Sequence, residues 1–318
     1  MKEIGGYIEL DTYRGQMLHE GAIALNSGRN ALAWLLHARG IRKLWIPRLI
    51  CDSVPGVLER EGVPYAFYDV GFDFLPSEEV TLGEGEWFYL VNYYSQMGDD
   101  VIAGYLEKYG RVIVDQAQSY FQMPVGGADT LYTCRKYFGV PDGAFLYTDA
   151  KWEEELPQDE SFERMRFLLG RYERTASEFY PAYVENNRLF RDEPVKRMSK
   201  LTQNLLHGID YENVKAVREQ NFLHLHEALR TVNRLSLSAV PGTFMYPFCA
   251  EEGGRIRKQL QEKKIYIPTL WPSVLKTAGP ESAAYRMAEN ILPLPIDQRY
   301  TTEDMDTILE ELFKWLKR

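Results

Sequence analysis

Apolar residues along the first half of the chain form short runs that alternate with segments of helical periodicity. Six apolar runs are typical of strands, at residues 43–50, 64–70, 86–94, 111–117, 129–138 and 142–149. Three segments repeat apolar side chains every three or four residues and predict helices, at residues 28–40, 52–62 and 99–110. Strands and helices that alternate in this way form a mainly parallel sheet with helices on both faces.

The pattern changes after residue 150, where charged sequence that favours helices replaces the alternation. The predicted elements are helices within 152–180, 193–234, 255–264 and 301–318, and strands within 237–250, 265–270 and 290–296. These elements predict a large domain at residues 1–234, which includes an N-terminal arm and a helical bridge. A smaller α+β domain is expected at residues 235–318.

The composition is globular and acidic, because 46 Asp and Glu outnumber 37 Lys and Arg, for a net charge of −9. An acidic surface disfavours nucleic acid and anionic membranes as extended partners, but one local basic pocket can still hold a phosphate. The 3 cysteines and 5 histidines follow no zinc-binding pattern, so no metal is expected. Without an apolar signal core or a run of about 18 apolar residues, the chain is expected to be soluble and cytoplasmic.

Ser27, Gly28 and Arg29 lie where the first helix begins. A helix start offers unpaired N–H groups and the positive end of the helix dipole, and Gly28 lets a ligand approach the backbone. This arrangement can hold a phosphate. The alternative is an ordinary helix start that Ser27 caps.

Asp115 ends the apolar run of residues 111–115, and ligands bind at this end of strands in open α/β sheets. A buried carboxylate needs a cationic or hydrogen-bonding partner, and the protonated ring nitrogen of a cofactor is one candidate. The alternative role for Asp115 is to cap the turn that follows.

Lys136 lies between two strand-like runs, among aromatic residues. A lysine in a dry pocket has a lowered pKa and becomes a nucleophile that can form a Schiff base. The alternative is a surface lysine in a hairpin, which the basic neighbour Arg135 also fits.

The order of these segments resembles that of pyridoxal-phosphate (PLP) enzymes with the aspartate-aminotransferase (type I) fold, and more narrowly the DegT/DnrJ/StrS-type sugar aminotransferases. The resembling segments are Asn26–Leu32, Trp45–Val70, Leu90–Tyr94, Val114–Gln118, Lys136, Asn186–Arg188 and Ile291–Ile296. The resemblance implies an α/β PLP-dependent transferase with a small C-terminal domain. It also implies an aminotransferase that moves an amino group from an amino-acid donor to a keto or aldehyde acceptor, with a nucleotide-linked keto-sugar as one candidate.

The resemblance assigns a role to each candidate residue. Lys136 would form the Schiff base with PLP and Asp115 would pair with the pyridinium nitrogen, which makes these two residues catalytic. The residues expected to bind the cofactor are Ser27, Gly28, Arg29, Asp115, Gln118, Thr133, Lys136 and Asn186. Asn186 would reach the phosphate bound by a neighbouring subunit, so a homodimer with shared active sites is expected.

Three departures from the family pattern leave other functions open. Cys51 occupies the position of an aromatic ring that stacks on the cofactor, residues 140–143 replace a Gly-Gly turn, and residues 190–221 do not follow the family pattern. One alternative is different PLP chemistry on the same fold, such as that of a lyase or dehydratase. Dehydrating relatives tend to carry histidine at the position of Lys136, so transamination is favoured. The other alternative is a family member without catalysis that serves as a binding or regulatory protein.

Overall fold

A computed structural model describes residues 4–316 and contains a seven-stranded sheet in its first half. The strands are β1 (Ile23–Leu25), β2 (Lys43–Pro47), β3 (Tyr65–Tyr68), β4 (Glu86–Val91), β5 (Val112–Asp115), β6 (Asp129–Thr133) and β7 (Ala144–Tyr147). Their order in the sheet is β1-β7-β6-β5-β4-β2-β3, and β7 runs antiparallel to both of its neighbours. The other neighbouring pairs are parallel, so the predicted mainly parallel sheet is confirmed.

Three helices connect the parallel strands, at the positions that the apolar periodicity predicts. They are α1 (Gly28–Ala38), α2 (Ser53–Arg60) and α3 (Asp99–Tyr109). Helix α1 is apolar on most of its surface, because it packs between the sheet and α2, and it has seven buried residues. Ser27 caps α1, and Gly40 follows its end with a φ of 58° that a glycine adopts without strain.

The bridge contains four helices, α4 (Arg166–Glu173), α5 (Ala176–Leu189), α6 (Lys200–His207) and α7 (Tyr211–Leu229). The prediction of helix is wrong for most of residues 152–161, where Trp152 stacks on His37 and packs against Trp34. It is also wrong for residues 193–199, which run beside the start of α1. There the carbonyl of Pro194 accepts from Asn30 Nδ2 at 2.8 Å. Tertiary contacts to α1 therefore replace local helix propensity in both segments.

The C-terminal part contains an antiparallel pair, β8 (Tyr246–Cys249) and β9 (Ile291–Leu294), with four helices. These helices are α8 (Gly253–Glu262), α9 (Val274–Thr277), α10 (Ala283–Asn290) and α11 (Thr302–Leu316). The strand predicted at residues 265–270 is wrong, since this segment pairs with no neighbour. The core of this lobe also takes in Phe222, Leu225 and Leu229 of α7. The domain boundary at residue 234 stays a prediction.

Across residues 4–316, no helix combines the length and the apolar character that crossing a bilayer requires. The same residues contain no group of three His, Cys, Asp or Glu side chains arranged to hold a metal ion.

Candidate active site

The candidate residues from the first half of the chain meet where the parallel strands end. Asp115 is the last residue of β5, Thr133 is the last residue of β6, and Lys136 follows in the next connection. A Cβ added at Gly28 would lie 3.8 Å from Thr133 Cβ, so the start of α1 packs directly beside the end of β6. This is the edge at which open α/β sheets bind ligands.

Asp115 is 8% exposed, and each of its carboxylate oxygens has its own donor. The Tyr89 hydroxyl donates to Oδ2 at 2.9 Å, and the Ala117 backbone N–H donates to Oδ1 at 2.8 Å. Asp115 therefore does cap the turn that follows it, but only through Oδ1. Burial raises the pKa of Asp115, and the charge of Lys136 and the two donors oppose that rise. A further cation beside Asp115 would stabilise its ionised form.

Lys136 lies in the connection of an antiparallel hairpin, and its side chain is exposed. Its Nζ lies 5.5 Å from the ring centroid of Phe244. In the single chain the lysine is therefore exposed in a hairpin, as in the surface-lysine alternative, and its role stays a prediction. The segment that carries Phe244 is held firmly, since Arg218 Nη1 donates to the carbonyls of Thr243 and Phe244 at 3.2 and 3.0 Å.

The start of α1 keeps two backbone donors free. Ser27 Oγ accepts from the Asn30 N–H at 3.2 Å, and the Ser27 carbonyl accepts from the Ala31 N–H at 2.9 Å. The N–H groups of Gly28 and Arg29 have no acceptor within the described residues 4–316. The predicted phosphate site therefore retains the donors that an anion needs.

Two guanidinium groups near this helix start lack a carboxylate partner in the described part of the chain. Burial lowers the pKa of Arg29, the nearby Asp52 opposes this effect, and repulsion from Arg191 and Arg60 adds to it. Arg135 Nε is buried without an acceptor, and its guanidinium lies 5.2 Å from the ring centroid of Phe190. Burial, with repulsion from Arg29 and Arg164, lowers the pKa of Arg135 to about 10. An orphaned buried donor beside free amides fits the phosphate group of PLP.

Gln118 is buried, and it secures a strained turn after β4. Its Oε1 accepts from the Tyr94 N–H at 2.9 Å, and its carbonyl accepts from Ser95 Oγ at 2.8 Å. Tyr94 and Ser95 both have positive φ values, 51° and 59°, which residues with side chains rarely adopt. The Gln118 amide nitrogen has no acceptor among residues 4–316, so it can donate to a ligand oxygen.

Cys51 lies within this site, as an electrostatic neighbour of both Arg29 and Tyr89. Its Sγ lies 2.7 Å from Ser53 Oγ at the start of α2. The predicted departure from the family pattern is therefore a thiol at the edge of the site.

Asn186 lies on α5 and is buried against its own chain. Its Nδ2 donates to the Pro141 carbonyl at 2.9 Å, and its Oδ1 is buried without a partner in the described residues. The altered loop after Lys136 is thus tied to α5. Gly143, in the same loop, has a φ of 114°, and its N–H donates to the Asn26 carbonyl at 2.8 Å. The role of Asn186 toward a second subunit stays a prediction.

No family model matches this chain, and no curated protein matches it. Solved structures do match it. A DegT DnrJ EryC1 StrS aminotransferase from Brucella abortus has 19% identity and a TM-score of 0.64, covering 94% of this chain and 87% of that chain. S. venezuelae DesV, solved in complex with a ketimine intermediate, has 16% identity and a TM-score of 0.65, covering 93% and 85%. DesI, solved in the presence of its TDP-sugar product, has 13% identity and a TM-score of 0.66, covering 93% and 81%.

At these identities the matches establish the fold. The predicted fold class is confirmed, since the chain shares the mixed-sheet α/β fold of the PLP-dependent aminotransferases. The assignments of individual site residues stay predictions.

The structure adds site residues that the sequence did not single out. Tyr89 looks like an ordinary core residue of an apolar strand, and Phe244 looks like part of another strand. A basic residue beside Lys136 fits a surface hairpin, but Arg135 Nε is buried. The adjacency of Arg135 to Lys136 was the one available signal. The contacts of Tyr89 and Phe244 depend on segments far apart in the chain.

Proposed function

We propose that this chain is a PLP-dependent aminotransferase, which moves an amino group from an amino-acid donor to a keto or aldehyde acceptor. The observation that carries the proposal is the meeting of three groups at one edge of the sheet. They are the buried carboxylate of Asp115, the amine of Lys136, and the free N–H groups at the start of α1. The shared fold of known aminotransferases supports the same assignment.

When bound, PLP supplies an electron sink that stabilises a carbanion at the substrate carbon. Lys136 Nζ would hold the cofactor covalently and, once released, would carry a proton as general base and acid. Asp115 would accept from the protonated ring nitrogen and keep it cationic, because an opposite charge favours the charged form. Gln118 would donate to the ring oxygen. Ser27, Gly28, Arg29 and Thr133 would bind the phosphate.

Substitution of Lys136 by Ala tests the covalent role. We expect the purified wild-type protein, supplied with PLP, to show visible absorbance that borohydride fixes to the chain. The Lys136→Ala variant should lose the fixed absorbance and the turnover. Lys200→Ala is the matched control, since Lys200 is also exposed and is the first residue of α6, outside the connection that carries Lys136. A Lys136→Ala variant that keeps both signals would contradict the proposal.

A half-reaction separates transamination from the other candidates. With an amino donor such as glutamate, an aminotransferase converts bound PLP to the amine form and releases the keto acid, whereas a lyase or dehydratase does not. A wild-type protein that stays colourless with PLP would instead favour the non-catalytic alternative, for which Cys51 at the edge of the site is the specific observation. A panel of keto acceptors, with a nucleotide-linked keto-sugar among them, then tests the acceptor class.

We propose that the enzyme is a homodimer with shared active sites. Two observations support this. Lys136 is exposed in the single chain, and the N-terminal arm carries apolar residues without cover, among them Ile4 and Tyr7, each 96% exposed. Asn186 would act across the interface on the partner's cofactor.

Three unpaired cysteines fit a reducing compartment, so we also propose a cytoplasmic location, which cell fractionation tests.

Mixing two inactive variants tests the shared sites. Lys136→Ala and Asn186→Ala subunits, when exchanged, would form hybrid dimers in which one site has both native residues. Random exchange should restore about a quarter of wild-type activity, because half of the dimers are hybrids with one intact site. If Asn186 acts only on Pro141 of its own chain, mixing restores nothing. A wild-type monomer in sedimentation would also refute the shared sites.

A further inference from the structure

Tyr89 and Asp115 share one face of the sheet in a register that lets them touch. Val91 of β4 is paired with Asp115 of β5, and Tyr89 lies two residues before Val91, on the same side of β4. The Tyr89 ring reaches along the strand, and its hydroxyl donates to Asp115 Oδ2 at 2.9 Å. Tyr89 is 1% exposed, so its hydroxyl is shielded from solvent. The pairing is therefore built into the sheet.

Some groups around Asp115 would change their charge during a reaction cycle, and others would donate the same hydrogen bond throughout. Lys136 faces Asp115 from the connection after β6, and its charge changes whenever its amine bonds to a carbon or moves a proton. The Ala117 N–H is a constant donor, but it serves Oδ1 from the turn after β5. Tyr93 also interacts electrostatically with Asp115, but its hydroxyl donates to the Leu49 carbonyl at 2.5 Å and not to Asp115. Tyr89 is thus the constant donor to Oδ2.

The Tyr89 hydroxyl keeps its proton beside Asp115. Burial, with the charge of Asp115, raises the pKa of Tyr89 well above its usual value, so it stays a donor. A neutral donor hydrogen-bonded to a carboxylate stabilises the ionised acid. The Tyr89 hydroxyl also fixes the rotation of the carboxylate, since it holds one oxygen while Ala117 holds the other.

We propose that Tyr89 is a positioning residue, whose hydroxyl keeps Asp115 ionised and oriented to accept from the ring nitrogen of the cofactor. The inference rests on the proposed function for the identity of that cofactor. The coupling between Tyr89 and Asp115 can be measured without it.

Tyr89→Phe removes the hydroxyl and keeps the ring, and Tyr68→Phe is the matched control. Tyr68 is as deeply buried, 1% exposed, and its hydroxyl donates to the Tyr89 carbonyl at 2.7 Å and not to Asp115. Full-length protein labelled with ¹³C-aspartate, without cofactor, gives the titration of Asp115, which Asp115→Asn assigns. We expect the pKa of Asp115 to be higher in Tyr89→Phe than in the wild type and unchanged in Tyr68→Phe.

The second measurement is the affinity for PLP, followed by absorbance. We expect Tyr89→Phe to weaken PLP binding by about 10-fold, which is the loss of one hydrogen bond to a charged group. In an Asp115→Asn background the same substitution should have a much smaller effect, since the charged carboxylate that Tyr89 stabilises is gone.

Equal Asp115 titrations in the wild type and Tyr89→Phe would overturn the inference, as would a PLP affinity that falls equally in Tyr68→Phe. A wild-type protein that takes up no PLP would overturn the proposed function. In that case the titration alone would still decide whether Tyr89 holds Asp115.

Discussion

Two buried carboxylates, Asp115 at the end of β5 and Asp142 in the connection that carries Lys136, receive their hydrogen bonds in different ways. Asp142 is fully buried and accepts from the Ser199 N–H at 2.8 Å, from Ser199 Oγ at 2.7 Å and from the Thr202 hydroxyl, all at the start of α6. Asp115 has two donors and the open, lysine-bearing edge of the sheet. A carboxylate that the chain itself saturates holds the fold together. A carboxylate with acceptor capacity left over is available to a ligand.

Two arginines beside Phe190 show the same kind of difference, since one has a carboxylate partner within the chain and the other has none. Arg135 and Arg164 each lie 5.2 Å from the Phe190 ring centroid. Arg164 is paired with Asp159 at 2.5 Å, whereas Arg135 has no carboxylate partner within residues 4–316. The same packing therefore supports one neutralised cation and one that is free to bind an anion.

The largest expected effect comes from Asp115→Asn. Activity should fall on the order of 100- to 1,000-fold, because the variant cannot hold a ring nitrogen protonated in the transition state. Stability at pH 7 should be equal or higher, since burial raises the pKa of Asp115 and its ionised form is costly in the folded state. Turnover and urea unfolding measure the two effects. A variant that is active, or that is strongly destabilised, would remove the contrast with Asp142.

The pH dependence of the free energy of unfolding should differ between Asp115 and His19, a buried group whose two ring nitrogens are both hydrogen-bonded. His19 is fully buried, its Nε2–H donates to the Tyr120 carbonyl at 2.8 Å, and its Nδ1 accepts from the Tyr147 hydroxyl at 3.1 Å. Burial lowers the pKa of His19 from 6.5 to about 4. The unfolded chain therefore binds the proton first, and stability falls as the pH drops from 6.5 towards 4.

That loss should reach about 3 kcal/mol, and His19→Gln should abolish it. The contribution of Asp115 has the opposite sign, because its folded pKa is raised and its share of stability is lost as the pH rises through that value. Urea unfolding between pH 4 and 7 compares wild type, His19→Gln and Asp115→Asn. An acid slope that persists in His19→Gln would assign the loss to other groups.

Asp142→Ala should act on stability and leave the chemistry of the folded protein intact. The substitution leaves three donors of Ser199 and Thr202 unpaired in the interior, which costs about 2 to 3 kcal/mol. Denaturant unfolding measures this cost, and turnover at low temperature measures the activity of the remaining folded protein. Activity that falls in proportion to that of Asp115→Asn would show that both carboxylates serve the site.

The smallest effect concerns the arginine pair. Arg135→Gln should weaken PLP binding by about 10-fold and leave the binding of pyridoxal, which has no phosphate, unchanged. Arg164→Gln is the matched control, since its guanidinium is already neutralised by Asp159. Equal losses in both variants, or an equal loss with pyridoxal, would contradict a phosphate role for Arg135.

Much of the first half of the fold could be predicted from the sequence, because each of its elements is defined by its own residues. The apolar runs that form β2 to β7 and the Ser27 cap of α1 are local signals, and local signals suffice where the sheet buries both faces of a strand. The prediction was wrong at residues 152–161, 193–199 and 265–270. There, contacts with other elements outweigh the local preference for helix or strand.

The sequence alone determined the types and the order of the groups that we propose for the site, namely a carboxylate after an apolar strand, a lysine in the next connection, and a helix start rich in donors. These features follow from residue type and order. Only the tertiary structure decided which of them are left unsatisfied. The register of β4 on β5 gives Asp115 its tyrosine, the start of α6 saturates Asp142, and the packing of Phe190 buries Arg135 without a partner. Hydrogen-bond saturation depends on groups distant in sequence, and for that reason no local pattern could reveal it.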